Sequence, residues 1–120
     1  MEAFEKLEVW KRSSNLCIEL YKELRHCKDL GFRDQITRAA LSVPSNIAEG
    51  YERNSLNEYV RFLNIAKGSC GELRTQLYIA SQTGFLDPSK DKEFIDEAVE
   101  ISKMIHGLAA KLRDANADKT

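Results

Sequence analysis

The chain has 120 residues, 42% hydrophobic and 31% charged, with a formal net charge of −1. This length suits one domain around a single core. The near-neutral balance excludes a global attraction to nucleic acid or to an acidic membrane, so any such contact needs a local basic patch.

The first helix is predicted over about residues 7–27, with an apolar seam of Leu7, Trp10, Ser14, Cys17, Tyr21 and Leu24 at three- and four-residue steps. Lys28-Asp29-Leu30-Gly31 follows as a turn, in which Gly31 suits the positive φ that ends a helix cheaply. The second helix is expected over about 32–52, with Ile36, Ala40, Val43, Ile47 and Gly50 as its seam. Pro44 lies inside it and removes the hydrogen bond to the Ala40 carbonyl. Because the seam keeps phase across the proline, one helix kinked near Pro44 is expected rather than two.

Ser55-Leu56-Asn57-Glu58 reads as a capping box, Ser55 capping the Glu58 amide and Glu58 reaching back to the Ser55 amide. The third helix then runs over about 56–83 with Tyr59, Phe62, Ala66, Cys70, Leu73, Leu77 and Ala80 on its seam, and Gly84 ends it. Asp87-Pro88 is an N-cap followed by proline at the first helical position. The fourth helix covers about 88–113, with Phe94, Ala98, Ile101, Ile105, Leu108 and Leu112 inward, and residues 115–120 are expected to fray.

A repeat near 3.5 residues favours left-handed packing at about 20°. Short connections make consecutive helices antiparallel. The expected architecture is all-α: one domain over residues 1–120 forming an up-down-up-down four-helix bundle. No apolar run approaches the roughly 20 residues that span a bilayer. The opening Met1-Glu2-Ala3-Phe4-Glu5-Lys6 lacks the basic and then apolar regions of a signal peptide, so a cytoplasmic location is expected, without a membrane partner.

A second stripe runs along the middle helices. Gln35, Arg38, Ser42, Asn46, Glu49 and Arg53 share one face of the second, and Glu58, Arg61, Gly68, Glu72 and Thr75 or Gln76 share one face of the third. A solvated face is one reading. The alternative is a hydrogen-bonded network of Arg38, Asn46, Glu49, Arg61 and Glu72 that fixes helix register or orients a subunit contact. Leu41, Val60, Ile65 and Ile79 lie off the seams, a surplus of apolar surface that suits self-association or a partner. Gly68, Ser69 and Gly71 remove bulk and let a neighbour approach.

Few residues carry a case for catalysis. Glu23-Leu24-Arg25-His26 has the Glu-x-x-His spacing that di-iron bundles use twice, but it occurs once, and position 103, three before His106, is a lysine. The two histidines define no Ser-His-Asp set. Gly68-Ser69-Cys70-Gly71 lacks the lysine of a phosphate loop. Cys17, Cys27 and Cys70 show no CxxC spacing and read as structural thiols. No catalytic, metal or cofactor residue is assigned.

The opening Phe4-Glu5-Lys6-Leu7-Glu8-Val9-Trp10 and the run Gln35-Ile36-Thr37-Arg38-Ala39-Ala40-Leu41-Ser42-Val43-Pro44-Ser45-Asn46-Ile47-Ala48-Glu49-Gly50 resemble the bacterial four-helix bundle family associated with intervening sequences in 23S ribosomal RNA genes. Glu58, Tyr59, Arg61, Phe62, Leu63, Ala66, Gly68, Ser69, Glu72, Leu73 and Thr75 match a further pattern of that family. The resemblance implies an antiparallel bundle that assembles as a ring-like homopentamer. Accessory variability proteins of diversity-generating retroelements are similar, and they associate with a reverse transcriptase and bind nucleic acid. The expectation is a non-enzymatic oligomeric scaffold binding RNA, DNA or a nucleic-acid-processing protein, with Arg33, Arg53, Arg61, Lys67 and Arg74 as candidate nucleic-acid contacts. Repetition around a ring would add avidity without more charge per chain. The alternative is a small metal- or ligand-dependent bundle enzyme.

Overall fold

A computed structural model describes residues 4–118, and every regular element among them is helical. After a 3-10 turn at Phe4–Lys6 come α1 (Glu8–Glu23), α2 (Leu30–Tyr51), α3 (Leu56–Thr83) and α4 (Pro88–Asp118). No helix among the described residues is long and apolar enough to cross a membrane.

Capping chemistry sets most of the boundaries. Asp29 is the N-cap of α2, its Oδ1 accepting from the Phe32 amide at 3.0 Å. Gly31 therefore lies in the first turn of α2 instead of ending α1. The positive φ expected there occurs at Gly84 alone among the described residues, with φ 78°. The first helix stops at Glu23, short of the expected residue 27, because the chain tightens into i→i+3 bonds from Arg25 N to Lys22 O and from Cys27 N to Leu24 O. Ser55 caps α3 by accepting from the Glu58 amide at 3.0 Å. The expected return bond gives way to a stronger partner, since the Glu58 carboxylate accepts from Arg61 Nε at 2.9 Å. Asp87 caps α4 by accepting from the Ser89 amide at 2.9 Å, which lowers the Asp87 carboxyl pKa.

The fourth helix continues beyond the expected residue 113 to Asp118, and Asn116 Nδ2 donates to Asn57 Oδ1 at 3.0 Å across to the start of α3. Lys119 and Thr120, part of the tail expected to fray, lie outside the described residues. Pro44 sits buried inside α2, which runs through it as one helix.

The second and third seams are buried as the periodicity dictates: Ile36, Ala40, Val43, Ile47 and Gly50 on α2, and Phe62 through Ala80 on α3, with Tyr59 half-buried. On α4, Phe94, Ala98, Ile101 and Ile105 are buried, and Ala109 replaces Leu108 as the next core position. On α1 the stripe differs. Val9, Ser13, Leu16, Leu20 and Leu24 face the core beside Cys17, while Tyr21 is 49% exposed. Leu7 and Trp10 of the expected seam pack half-buried against the same core, so the helix buries a broad face centred on its leucines.

Two details lock α2 to α3. A Cβ on Gly50 would stand 2.8 Å from Phe62 Cβ and 3.2 Å from the Tyr59 carbonyl oxygen, so the helices cross at a spacing only glycine permits there. The Ser42 and Ser69 hydroxyls meet at 2.9 Å a few turns away. Between α3 and α4, the Cys70 thiol donates to the Ala98 carbonyl at 3.2 Å in the core.

Candidate functional site

The polar stripe over α2 and α3 resolves into local pairs. Asn46 Nδ2 donates to the Ser42 carbonyl at 2.8 Å and to Ser42 Oγ at 2.9 Å, extending the serine contact across the two helices. Glu49 accepts from Arg53 at 2.8 Å, one turn on. Arg61 pairs with Glu58, which holds the Glu58 carboxyl below its ordinary pKa, assisted by Arg53. Both guanidiniums lie over the Phe62 ring, at 4.8 Å for Arg53 and 4.7 Å for Arg61. Arg38 lies by α1 and Glu72 is exposed on α3, so the five residues Arg38, Asn46, Glu49, Arg61 and Glu72 do not join into one network within the chain. For Arg53 and Arg61 the physical reason is spacing, because carboxylates three or four residues away capture them first.

The candidate nucleic-acid contacts divide among three places. Arg53 and Arg61 are held on Phe62 with their acidic partners. Arg33 borders a groove between α1 and α2 with Lys22, Arg25 and Arg38, and its Nε lies 3.8 Å from Asp34. Lys67 and Arg74, seven residues apart on α3, share a groove of about 430 Å³ with Ser102, Lys103 and His106 of α4, floored by Val99. No carboxylate lines it. Lys67 Nζ and His106 Nδ1 meet at 3.0 Å, a hydrogen bond that ties α3 to α4 along this groove.

Arg74 also borders the next stretch of the same α3/α4 edge, with Gly71, Thr75, Tyr78 and Ile95. The Tyr78 side chain is 61% exposed. A row of cations thus leads to an open aromatic ring. Lys103, His106 and Tyr78 did not emerge from the sequence as contacts. Lys67 and Arg74 show the two-turn spacing of a common face, but the α4 residues join them only through the register of two antiparallel helices.

The remaining α1 edge is acidic. Glu19, Glu93, Asp96, Glu97 and Glu100 border a groove over Leu16 and Phe94. Arg12 bridges α1 to α4 there by donating from Nε to Glu97 Oε2 at 3.0 Å, a pairing that raises the Arg12 pKa. No group of three or more His, Cys, Asp or Glu side chains among the described residues forms a metal-binding cluster, and Glu23 and His26 are both exposed. Burial raises the Cys17 thiol pKa and pushes Cys70 to about 11, while Cys27 is half-buried at the α1–α2 turn.

The family model described as 23S rRNA-intervening sequence protein matches residues 5–107. Among solved structures, a protein of unknown function from the S23 ribosomal protein family of Bacteroides thetaiotaomicron superposes with a TM-score of 0.79. That likeness covers 84% of this chain and 97% of the other at 23% identity, a level that carries the fold alone. No curated protein matches the chain.

Proposed function

The chain belongs to the 23S rRNA-intervening sequence protein family, and on that premise we propose that it is a non-enzymatic, homopentameric scaffold whose α3/α4 edge binds single-stranded RNA or DNA. The observation that carries this reading is the carboxylate-free groove of Lys67, Arg74, Lys103 and His106 beside exposed Tyr78, in a chain whose total charge is −1. From Lys67 to Tyr78, α3 advances roughly 17 Å at 1.5 Å per residue. That length accommodates several nucleotides, with phosphates along the cations and one base against the tyrosine ring. Stacking of this kind contributes about 1–3 kcal/mol per base and tolerates any base. Copies around a ring present the groove repeatedly, so a weak contact per chain becomes a strong one per assembly.

Fluorescence anisotropy with a labelled single-stranded RNA, repeated across a salt series, tests the reading. Each neutralised phosphate contributes about −0.7 to the slope of log affinity against log salt. K67Q/R74Q/K103Q should therefore flatten the slope by about 2 per chain engaged, and Tyr78→Ala should weaken binding by about 5- to 150-fold without changing the slope. An unchanged slope in the triple variant refutes this site.

A further inference from the structure

Two faces of opposite charge flank α1. On the α2 side, Lys22, Arg25, Arg33 and Arg38 rim a groove of about 550 Å³ in which Asp34 is the one lining carboxylate. Tyr21 and Leu41 lie along the same groove, each 49% exposed. On the α4 side, Glu93, Asp96, Glu97 and Glu100 recur at helical spacing, joined by Glu19 of α1, and no cation lines that face. Arg12, Lys92 and Lys90 pair with Glu97, Asp96 and Glu93 from its margins, which leaves Glu100 as the α4 carboxylate of this face without an ion pair among the described residues.

We propose that these faces bind each other between copies: the acidic ridge of α4 in one chain seats in the basic α1/α2 groove of the next, over Tyr21 and Leu41. This identifies the interface of the self-assembly proposed above and rests on that reading. The occupant is a second copy because the chain itself carries the complement the groove requires. A helix ridge fits a groove between two helices. Glu93 to Glu100 occupies roughly 10 Å of α4 at 1.5 Å per residue, within reach of four long cationic side chains. Seating it removes from water the tyrosine and leucine that the isolated chain leaves uncovered.

The contact is heterologous, since the donating and accepting faces differ, and such contacts form rings or filaments according to the angle between them. Both faces border α1, so they lie on adjacent sides of the bundle. Adjacent faces bend successive copies toward a closed ring, whereas faces on opposite sides would propagate as a filament. The α3/α4 groove lies across the bundle from the α1/α2 contact and stays open to nucleic acid.

The test is molar mass of the full chain by light scattering, with circular dichroism confirming unchanged helicity. R25E/R38E and E93K/E100K should each reduce the ring to monomer, and the fourfold variant R25E/R38E/E93K/E100K, with both signs exchanged, should recover the ring mass. Rings unaffected by either double variant overturn this interface while leaving self-assembly intact. Failure of the fourfold variant to reassemble also overturns it. A wild-type chain that stays monomeric at high concentration overturns self-assembly and the interface together.

Discussion

Replacing Gly50 with alanine isolates the close approach of α2 and α3. The new Cβ would stand 2.8 Å from Phe62 Cβ, an atom fixed to the backbone, and 3.2 Å from the Tyr59 carbonyl oxygen. Neither can swing away, so the helices must separate by a few tenths of an ångström; overpacking of this kind costs about 1–3 kcal/mol. Alanine also gains about 1 kcal/mol of intrinsic helix preference over glycine. Gly107 supplies the reference, because it is exposed within α4 and a Cβ there meets nothing within 4 Å. The preference is common to both substitutions, so the difference between them is the crowding alone. Gly50→Ala should be about 1–3 kcal/mol less stable than Gly107→Ala, and Gly107→Ala should equal or exceed wild type. Urea melts at one protein concentration measure both. Equal midpoints for the two variants would refute the claim that glycine sets the helix spacing.

Leu20→Ala should cost about 2–5 kcal/mol, since Leu20 is wholly buried. Ile18→Ala, on the outer side of α1, should cost under about 1 kcal/mol in the same melt. Burial pushes the Tyr59 phenol to about 12, with Tyr51 adding to the effect, and the Cys70 thiol to about 11. In the unfolded chain these groups ionise near 10 and 9. Above about pH 9 the unfolded state therefore holds fewer protons than the folded one, so stability should fall as pH rises. A urea midpoint that holds or increases through that range contradicts the burial of both groups, and Cys70→Ala should reduce the earlier part of the decline, the remainder belonging to buried Cys17. In the native protein an alkylating reagent should modify Cys27 well before Cys17 and Cys70, which peptide mapping would read.

Helix existence and the inward faces of α2, α3 and most of α4 were legible because each has a single dominant apolar stripe. The first helix was legible only in part: Cys17 and Leu24 of the expected seam are buried and Leu7 and Trp10 pack against the core, but Tyr21 is exposed, and only the neighbouring helices bring in Val9, Ser13, Leu16 and Leu20. Gly31 was misleading for a related reason. A glycine between helices signals an ending, but Asp29 three residues before Phe32 offered a cap, and the cap fixed the boundary. At the candidate site, Lys67 and Arg74 were readable from their shared face. Lys103, His106 and Tyr78 needed the α3/α4 register, which no single-helix pattern contains. The pairing of Arg53 and Arg61 is also visible in the sequence, since Glu49 and Glu58 sit four and three residues before them.

An even number of alternating helices has a consequence for anything attached to the chain. The Asn57–Asn116 bond brings the last turn of α4 beside the first turn of α3, and alternation sets the beginning of α1 at that same pole. A reporter fused before Phe4 or after Asp118 would emerge from one pole, leaving the opposite one, with the Asp29 and Gly84 turns, bare. If copies stand side by side in a ring, every such fusion would crowd onto one rim, and the other rim would remain clear for a partner to approach.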